Sequence, residues 1–257
     1  AQLLVAQGGV RDVRITGGEP LVRQQVPHLI EMLAGIEKLE DLSLTTNGML
    51  LAEHAQALHE AGLKRLNISL DTLDKEVFKK ITRRDGLEKT LQGIEAAIKC
   101  GFESVKLNTL AIKGVTESEV AGLVRYALDR NVMLRFIEFM PLEAGDVWNE
   151  TLVVPAEEIV ETINDAIPME PITRGSEPAE RWRYTDGNGE VGVIASVTRP
   201  FCGNCDRVRI TAEGQFRTCL FAVDEFDMRT LLREEADDNK LVEAIVLQAE
   251  ILDLKTD

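Results

Sequence analysis

Three cysteines carry the clearest chemistry in the sequence. Cys202 and Cys205 form a Cys-x-x-Cys pair, and Cys219 follows them in the segment PFCGNCDRVRITAEGQFRTCLF. Ala212-Glu213-Gly214 suits a three-residue hairpin loop, so segments 207–211 and 216–220 are predicted to pair about it. That pairing returns Cys219 to the side of Cys205, and three thiolates converge as a donor set for zinc or iron–sulfur. A closed structural zinc site takes four ligands. The one other cysteine, Cys100, ends a helix-like stretch and reads as a packed thiol, while His28, His54 and His59 all lie on helix-like segments before residue 60. Three thiolates without a fourth partner fit a 4Fe–4S cluster with one open iron, and zinc stays open as the alternative on spacing alone.

Arg207 and Arg209 stand two apart on a strand-like segment and so face the same way, just after Cys205. Guanidinium forks match phosphate and carboxylate geometry. The setting makes them stand out, because 44 Asp and Glu against 29 Lys and Arg give the 257-residue chain a net charge of −15. Such acidity argues against general binding of nucleic acid or of an anionic membrane. Aromatics at 5% leave few platforms for stacking single strands. No apolar run has the length of a membrane span, and no secretory signal opens the chain, so a cytoplasmic protein is expected. Clustered cysteines in that setting point to metal or redox chemistry before a disulfide framework.

These groups need elements to position them. The first 140 residues alternate strand-like and helix-like segments: strands at 12–18, 41–48, 65–71, 104–112 and 133–140, with helical patterns at 26–36, 53–62, 87–100 and 116–130 between them. Thr116 and Glu119 have the spacing of a capping box. Repeated βα units imply a parallel, right-handed arrangement. Polar residues end successive strands (Thr16 to Glu19, Thr45 to Asn47, Ser69 to Asp71, Asn108, Glu138), and no single glycine-rich loop dominates, which favours a TIM-type barrel over a doubly wound sheet. Beyond about residue 145 the texture changes. Residues 151–167 read as a turn and an acidic amphipathic helix, 168–190 as loop, 191–197, 207–211 and 216–220 as antiparallel strands, and 224–257 as an acidic helical tail.

The segment RITGGEPLVR (14–23) resembles the GGEP loop of radical S-adenosylmethionine (SAM) enzymes. The cysteine segment resembles the C-terminal cluster of the GTP 3′,8-cyclase family of molybdenum-cofactor biosynthesis, and LTTNG (44–48), LNISLD (66–71) and RFIEFMPL (135–142) resemble further family segments in order. The resemblance implies that Gly18, Ser69 and Met140 contact SAM, that Arg14, Thr45, Lys106, Arg207, Val208 and Arg209 contact GTP, and that Cys202, Cys205 and Cys219 hold a 4Fe–4S cluster. It also implies a fold: an incomplete TIM-type (βα) barrel lacking its first strand over 1–145, then a smaller β-rich region with helices over 146–257 that carries the cluster and GTP site. The family's upstream Cys-x-x-x-Cys-x-x-Cys motif, which binds the SAM-cleaving cluster, has no match here, so that second 4Fe–4S cluster is expected on a segment before Ala1 and the fragment is expected to be inactive. The family's C-terminal tail ending in two glycines is absent as well, which reads as truncation at both ends.

The implied reaction is radical cyclisation of GTP to (8S)-3′,8-cyclo-7,8-dihydroguanosine 5′-triphosphate. In it a 5′-deoxyadenosyl radical abstracts hydrogen from C3′ and the new radical attacks C8, with the protein positioning the substrate and excluding water. Two other readings stand beside it: another radical SAM enzyme with an auxiliary cluster, and a non-catalytic zinc- or cluster-binding remnant. A homodimer is allowed, and nothing in the sequence fixes the oligomeric state.

Overall fold

The structure, a computed structural model, describes residues 1–142, 148–173, 177–200, 202–222, 224–234 and 237–253. A short helix, α1 (Gln2–Ala6), precedes β1 (Asp12–Ile15), α2 (Val26–Ala34), β2 (Asp41–Thr46), α3 (Leu51–Glu60) and β3 (Arg65–Ser69). Then come α4 (Lys75–Thr82), α5 (Leu87–Cys100), β4 (Ser104–Ala111), α6 (Val120–Asp129) and β5 (Met133–Glu138). The second half contains α7 (Ala156–Ala166), β6 (Met169–Pro171), β7 (Glu180–Tyr184) and β8 (Glu190–Ile194). It ends with β9 (Arg209–Ile210), β10 (Gln215–Arg217), β11 (Phe226–Asp227), α8 (Met228–Arg233) and α9 (Asp238–Asp253).

Strands β1 to β5 pair in sequence order, all parallel. Strand β8 then adds a sixth parallel strand beside β5, and β7 and β6 continue the same sheet antiparallel. The sheet thus runs past the expected division at 145, a position that itself lies outside the described residues. Strands β9, β10 and β11 form a separate three-stranded sheet. The α/β class and the partial barrel expected from the sequence are both present, with a small antiparallel sheet near the C-terminal end.

Period-two alternation gives each strand two unlike faces. Leu42, Leu44, Leu66, Ile68, Leu107, Leu134, Phe136, Val191 and Val193 are fully or almost fully buried against Ile30, Leu58, Ile94, Leu123, Ile159 and Ile163 of the helices. Each such side chain contributes about 1.5–3 kcal/mol relative to exposure. The helices lie close: a Cβ on Gly93 of α5 would fall 2.3 Å from the carbonyl oxygen of Gly48, which only glycine permits. The opposite, inner face is polar.

Three expectations are corrected. Residues 168–190 are not all loop, because β6 and β7 lie within them. Their charge and proline masked a pattern suited to the end of a sheet, where Pro171 is tolerated and Arg181 and Arg183 find Glu190. The capping box is not made. Thr116 Oγ1 instead donates to the Leu110 carbonyl at 2.7 Å, and Glu119 accepts from Leu73 N at 3.2 Å, bonds to other strand ends that local spacing does not reveal. Helix α4 was not expected, since its charged sequence buries only Phe78, yet Asp74 caps it by accepting from Glu76 N and Val77 N, both at 2.8 Å.

Glu138 ties the two halves together. Its fully buried carboxylate accepts from Ala156 N at 2.8 Å, the Thr198 hydroxyl at 2.5 Å, Val197 N at 2.7 Å and Thr198 N at 2.8 Å. One group thereby satisfies the start of α7 and the turn after β8. Asp71, just beyond β3, accepts from Leu110 N at 2.8 Å, and burial pushes its carboxyl up to about 6.

Glu138→Ala leaves three backbone donors without their acceptor and is expected to lower stability by about 3 kcal/mol or more in urea denaturation; a loss under about 1 kcal/mol would refute this role. For Asp71 the folded state holds the proton more tightly than the unfolded chain. Its contribution is therefore most favourable below its ordinary value of 3.8 and is lost as pH rises through about 6. Asp71→Asn keeps the acceptor and removes the charge. It is expected to exceed the wild type in stability at neutral pH by up to about 3 kcal/mol, at 1.36 kcal/mol per pKa unit, with the gap closing in acid. A pH-independent gap would overturn the assignment.

Candidate functional site

The turn after β1 is open. Gly17 adopts a φ of +139°, and a Cβ built on Gly18 would meet no atom within 4 Å, so backbone is presented to the mouth without a side chain in the way. Glu19 fixes this turn to the end of β2, accepting from the Thr46 hydroxyl at 2.7 Å, Asn47 N at 2.7 Å and Leu21 N at 3.0 Å. The GGEP segment is thus a short glycine arch with its own carboxylate clamp.

The sheet register lays the inner-face residues out in rows. Arg14 stands beside Ser43, which stands beside Arg65. Thr45, Asn67, Lys106 and Met133 form the next row, and Ser69, Asn108, Arg135, Gly192 and Arg181 the one above. Arg14 Nε donates to Ser43 Oγ at 3.4 Å, Arg65 pairs with Asp41, and Arg135 donates to Asn108 Oδ1 at 3.0 Å and to Asn67 Oδ1. A Cβ on Gly192 would press on Arg135 Cγ at 3.1 Å, so the glycine makes room for that arginine.

Positive charge is crowded on this face. Burial, then the charges of Arg14 and Arg65, lower Arg135 to about 10. Burial lowers Lys106 as well, followed by Arg135, Arg65 and Arg181, against Glu177. Arg14 is lowered by burial of its guanidinium and then by Arg65 and Arg207. The last effect puts Arg207 of the cysteine segment within electrostatic reach of Arg14 on β1.

In the cysteine segment, the expected hairpin forms with Phe216 opposite Ile210 and Arg217 opposite Arg209, although the strands are shorter than the sequence suggests. Gly214 closes its turn at a φ of +85°. The thiols are all free. Arg207 Nε lies 3.3 Å from Cys205 Sγ, Phe221 N donates to Cys219 Sγ at 3.4 Å, and Arg209 feels the charge of both sulfurs. Partial burial pushes the Cys205 thiol up, but the backbone and guanidinium of Arg207, with Arg209, outweigh it and hold the thiol below its ordinary value. Arg209 Nη1 is buried without a partner among the described residues. Three thiols with N–H and guanidinium neighbours fit the donor chemistry of an iron–sulfur cluster.

The expected convergence is nevertheless incomplete. Among the described residues no three Cys, His, Asp or Glu side chains are gathered closely enough to hold one metal ion. Cys205 turns to Arg207, Cys219 to the Phe221 amide, and Cys202 is exposed.

Of the other expected residues, Thr45 and Lys106 share a row, Ser69 lies one row above, and Arg14 is linked to Arg207 by charge. Gly18 and Met140 follow β1 and β5, at the same end of the sheet but four strands apart, and Val208 is exposed between the two arginines. Sequence reading missed Arg65, Asn67 and Arg135, and gave Asn108 only as a polar strand end. Their signal was present: polar residues alternate with Leu66, Ile68, Leu107 and Leu134 in strands whose parallel pairing would otherwise make both faces apolar. No described helix is long and apolar enough to cross a membrane.

Residues 1–127 match the Radical SAM superfamily profile and residues 132–254 the Molybdenum Cofactor Synthesis C profile. The chain is 52% identical over 250 residues to GTP 3′,8-cyclase of Rhodopirellula baltica, covering 95% of this chain and 70% of that protein. It is 45% identical to GTP 3′,8-cyclase of Streptomyces coelicolor, covering 93% and 71%. Among solved structures, Streptococcus suis SuiB bound to S-adenosylmethionine superposes with a TM-score of 0.58 at 14% identity, over 88% of this chain and 55% of that one, a likeness of fold. With both halves matched and two thirds of such relatives covered, the chain belongs to the GTP 3′,8-cyclase family of the radical SAM superfamily.

Proposed function

We propose that this chain forms the GTP-holding and most of the SAM-holding part of a GTP 3′,8-cyclase, which makes (8S)-3′,8-cyclo-7,8-dihydroguanosine 5′-triphosphate in the first step of molybdenum-cofactor biosynthesis. The observation that carries this reading is the run of neighbouring cations from Lys106, through Arg135 and Arg65, to Arg14 and on to Arg207 in a chain of net charge −15. An acidic protein that concentrates desolvated cations on one inner face is built for a polyanion. In this reading Arg14, Thr45 and Lys106 hold the nucleotide from the barrel, and Arg207, Val208 and Arg209 hold it from the cysteine segment. Gly18, Ser69 and Met140 hold SAM at the strand ends, where the open arch at Gly18 admits a ligand to bare backbone. Cys202, Cys205 and Cys219 are the ligands of a 4Fe–4S cluster, carried by the segment that follows the barrel sheet's last strand in the chain, β8.

When bound, iron–sulfur and SAM supply the radical chemistry. The protein's residues orient the ribose and guanine and keep water out, which is the larger part of what a protein adds to such a reaction. Guanidinium and ammonium groups on the inner face fix the phosphates without taking part in proton transfer. Cys100 is the one cysteine beyond the three, so a second cluster finds no ligand set in these residues, and this chain by itself does not begin the reaction. The reading places the protein in the cytoplasm and accommodates a homodimer.

Anaerobic reconstitution is expected to load about four irons per chain, the content of one 4Fe–4S cluster, and Cys219→Ala to remove most of it. Stoichiometric zinc with no iron uptake would defeat the cluster assignment. Arg207→Ala is expected to weaken GTP binding to the reconstituted protein about tenfold to a hundredfold in calorimetry, the value of one charge-assisted contact. Unchanged affinity would remove Arg207 from the site.

A further inference from the structure

Arg65 is the residue of the inner face that its local partners explain least. It begins β3, in the same row as Arg14 and Ser43, and its sequence position reads as an ordinary charged start to a strand. Its guanidinium pairs with Asp41 through Nη2, yet its Nε–H is buried with no partner among the described residues. A buried guanidinium N–H without an acceptor is costly, and such atoms call for explanation. Arg65 is also the charge common to the crowding: it depresses Arg14, Lys106 and Arg135 alike. Six cations interact there, Arg14, Arg65, Lys106, Arg135, Arg181 and Arg207, against four carboxylates, Asp12, Asp41, Glu177 and the Glu190 that pairs with Arg181. Asp41, a small carboxylate on the neighbouring strand, engages one arm of Arg65 and leaves the Nε edge unsatisfied.

From this we infer that Arg65 is a direct ligand of the phosphate chain of the bound nucleotide, and that it is where the protein distinguishes a nucleoside triphosphate from its nucleoside. The inference rests on the GTP reading above and adds a residue and a discriminating role to it. An incoming phosphate oxygen accepts from the Nε edge while Asp41 keeps the Nη2 arm and holds the fork in plane. The anion relieves repulsion on Arg14, Lys106 and Arg135 at the same time, so the contribution of Arg65 extends beyond one hydrogen bond. Ser43, which receives Arg14 Nε at 3.4 Å, stands between Arg14 and Arg65 in the row, so the two arginines lie on one face two strands apart. Bidentate phosphate recognition uses this planar pre-organisation, which lysine lacks.

The test uses the reconstituted full-length protein, with calorimetric titration of GTP, of guanosine, and of inorganic tripolyphosphate as a competitor. Wild-type protein is expected to prefer GTP over guanosine and to lose GTP to tripolyphosphate. Arg65→Met is expected to lower GTP affinity roughly tenfold to a hundredfold, to leave guanosine affinity unchanged, and to abolish competition by tripolyphosphate. A role confined to strand pairing with Asp41 would lower thermal stability and move both ligands together, or neither. Should Arg65→Met fail to fold, Arg65→Lys decides, because it keeps the charge and the Asp41 pair but not the fork. The expected result is then a several-fold loss for GTP with guanosine unchanged. Full retention of the GTP preference in these variants overturns the role of Arg65 and leaves the GTP reading standing. A wild-type protein that binds no GTP removes that reading, and this inference falls with it.

Discussion

More positive charge lies on the inner face of the sheet than the neighbouring carboxylates neutralise, and this excess constrains the molecule around it. Arg14, Arg65, Lys106 and Arg135 come from four different strands, so their approach is imposed by the sheet. Left to themselves in water such groups would separate, and burial together with neighbouring cations lowers Arg14, Lys106 and Arg135 below their ordinary values. The energy for this comes from the other face of the same strands, where leucine, isoleucine, valine and phenylalanine side chains pack against the helices. A large apolar interface is what allows a strained polar one to persist.

Rigidity at the strand ends comes from carboxylates used as clamps. Glu19 binds the glycine turn to the end of β2, Asp71 binds the end of β3 to β4, and Glu138 binds the end of β5 to α7 and to the turn after β8. Each acceptor gathers backbone N–H groups that loops would otherwise expose, so the mouth of the barrel is made of fixed turns. The arrangement is economical in charge. These acids face amides, so the cations of the inner face keep their own charge available for a ligand.

The cysteine segment depends on the same surface. Its small sheet is only a few residues wide, and strands that short are marginal by themselves. Arg207 and Arg209 supply the connection, one reaching the field of Arg14 and the other lying near Cys205 and Cys219. Cys205 and Cys219 therefore lie beside arginines that belong to the same crowd of cations.

Much of this was legible in the sequence. Hydrophobic periodicity and turn residues gave the βα order, because those signals are local. The Cys-x-x-Cys pair, its hairpin and the two following arginines were visible for the same reason, as were the GGEP turn and the polar strand ends. Tertiary structure decided the rest. Whether β8 would join β5, and so extend the barrel sheet through β7 and β6, depends on hydrogen bonds between segments far apart in the chain. Thr116 left its predicted capping role because the end of β4 takes both sides of its hydroxyl, which accepts from Ile112 N at 2.9 Å and donates to the Leu110 carbonyl at 2.7 Å. Arg65 and Arg135 looked like any charged strand residues until register placed them on one face, two rows apart. A sequence states which side of a strand a residue is on, and only the pairing of strands states which charges it must then face.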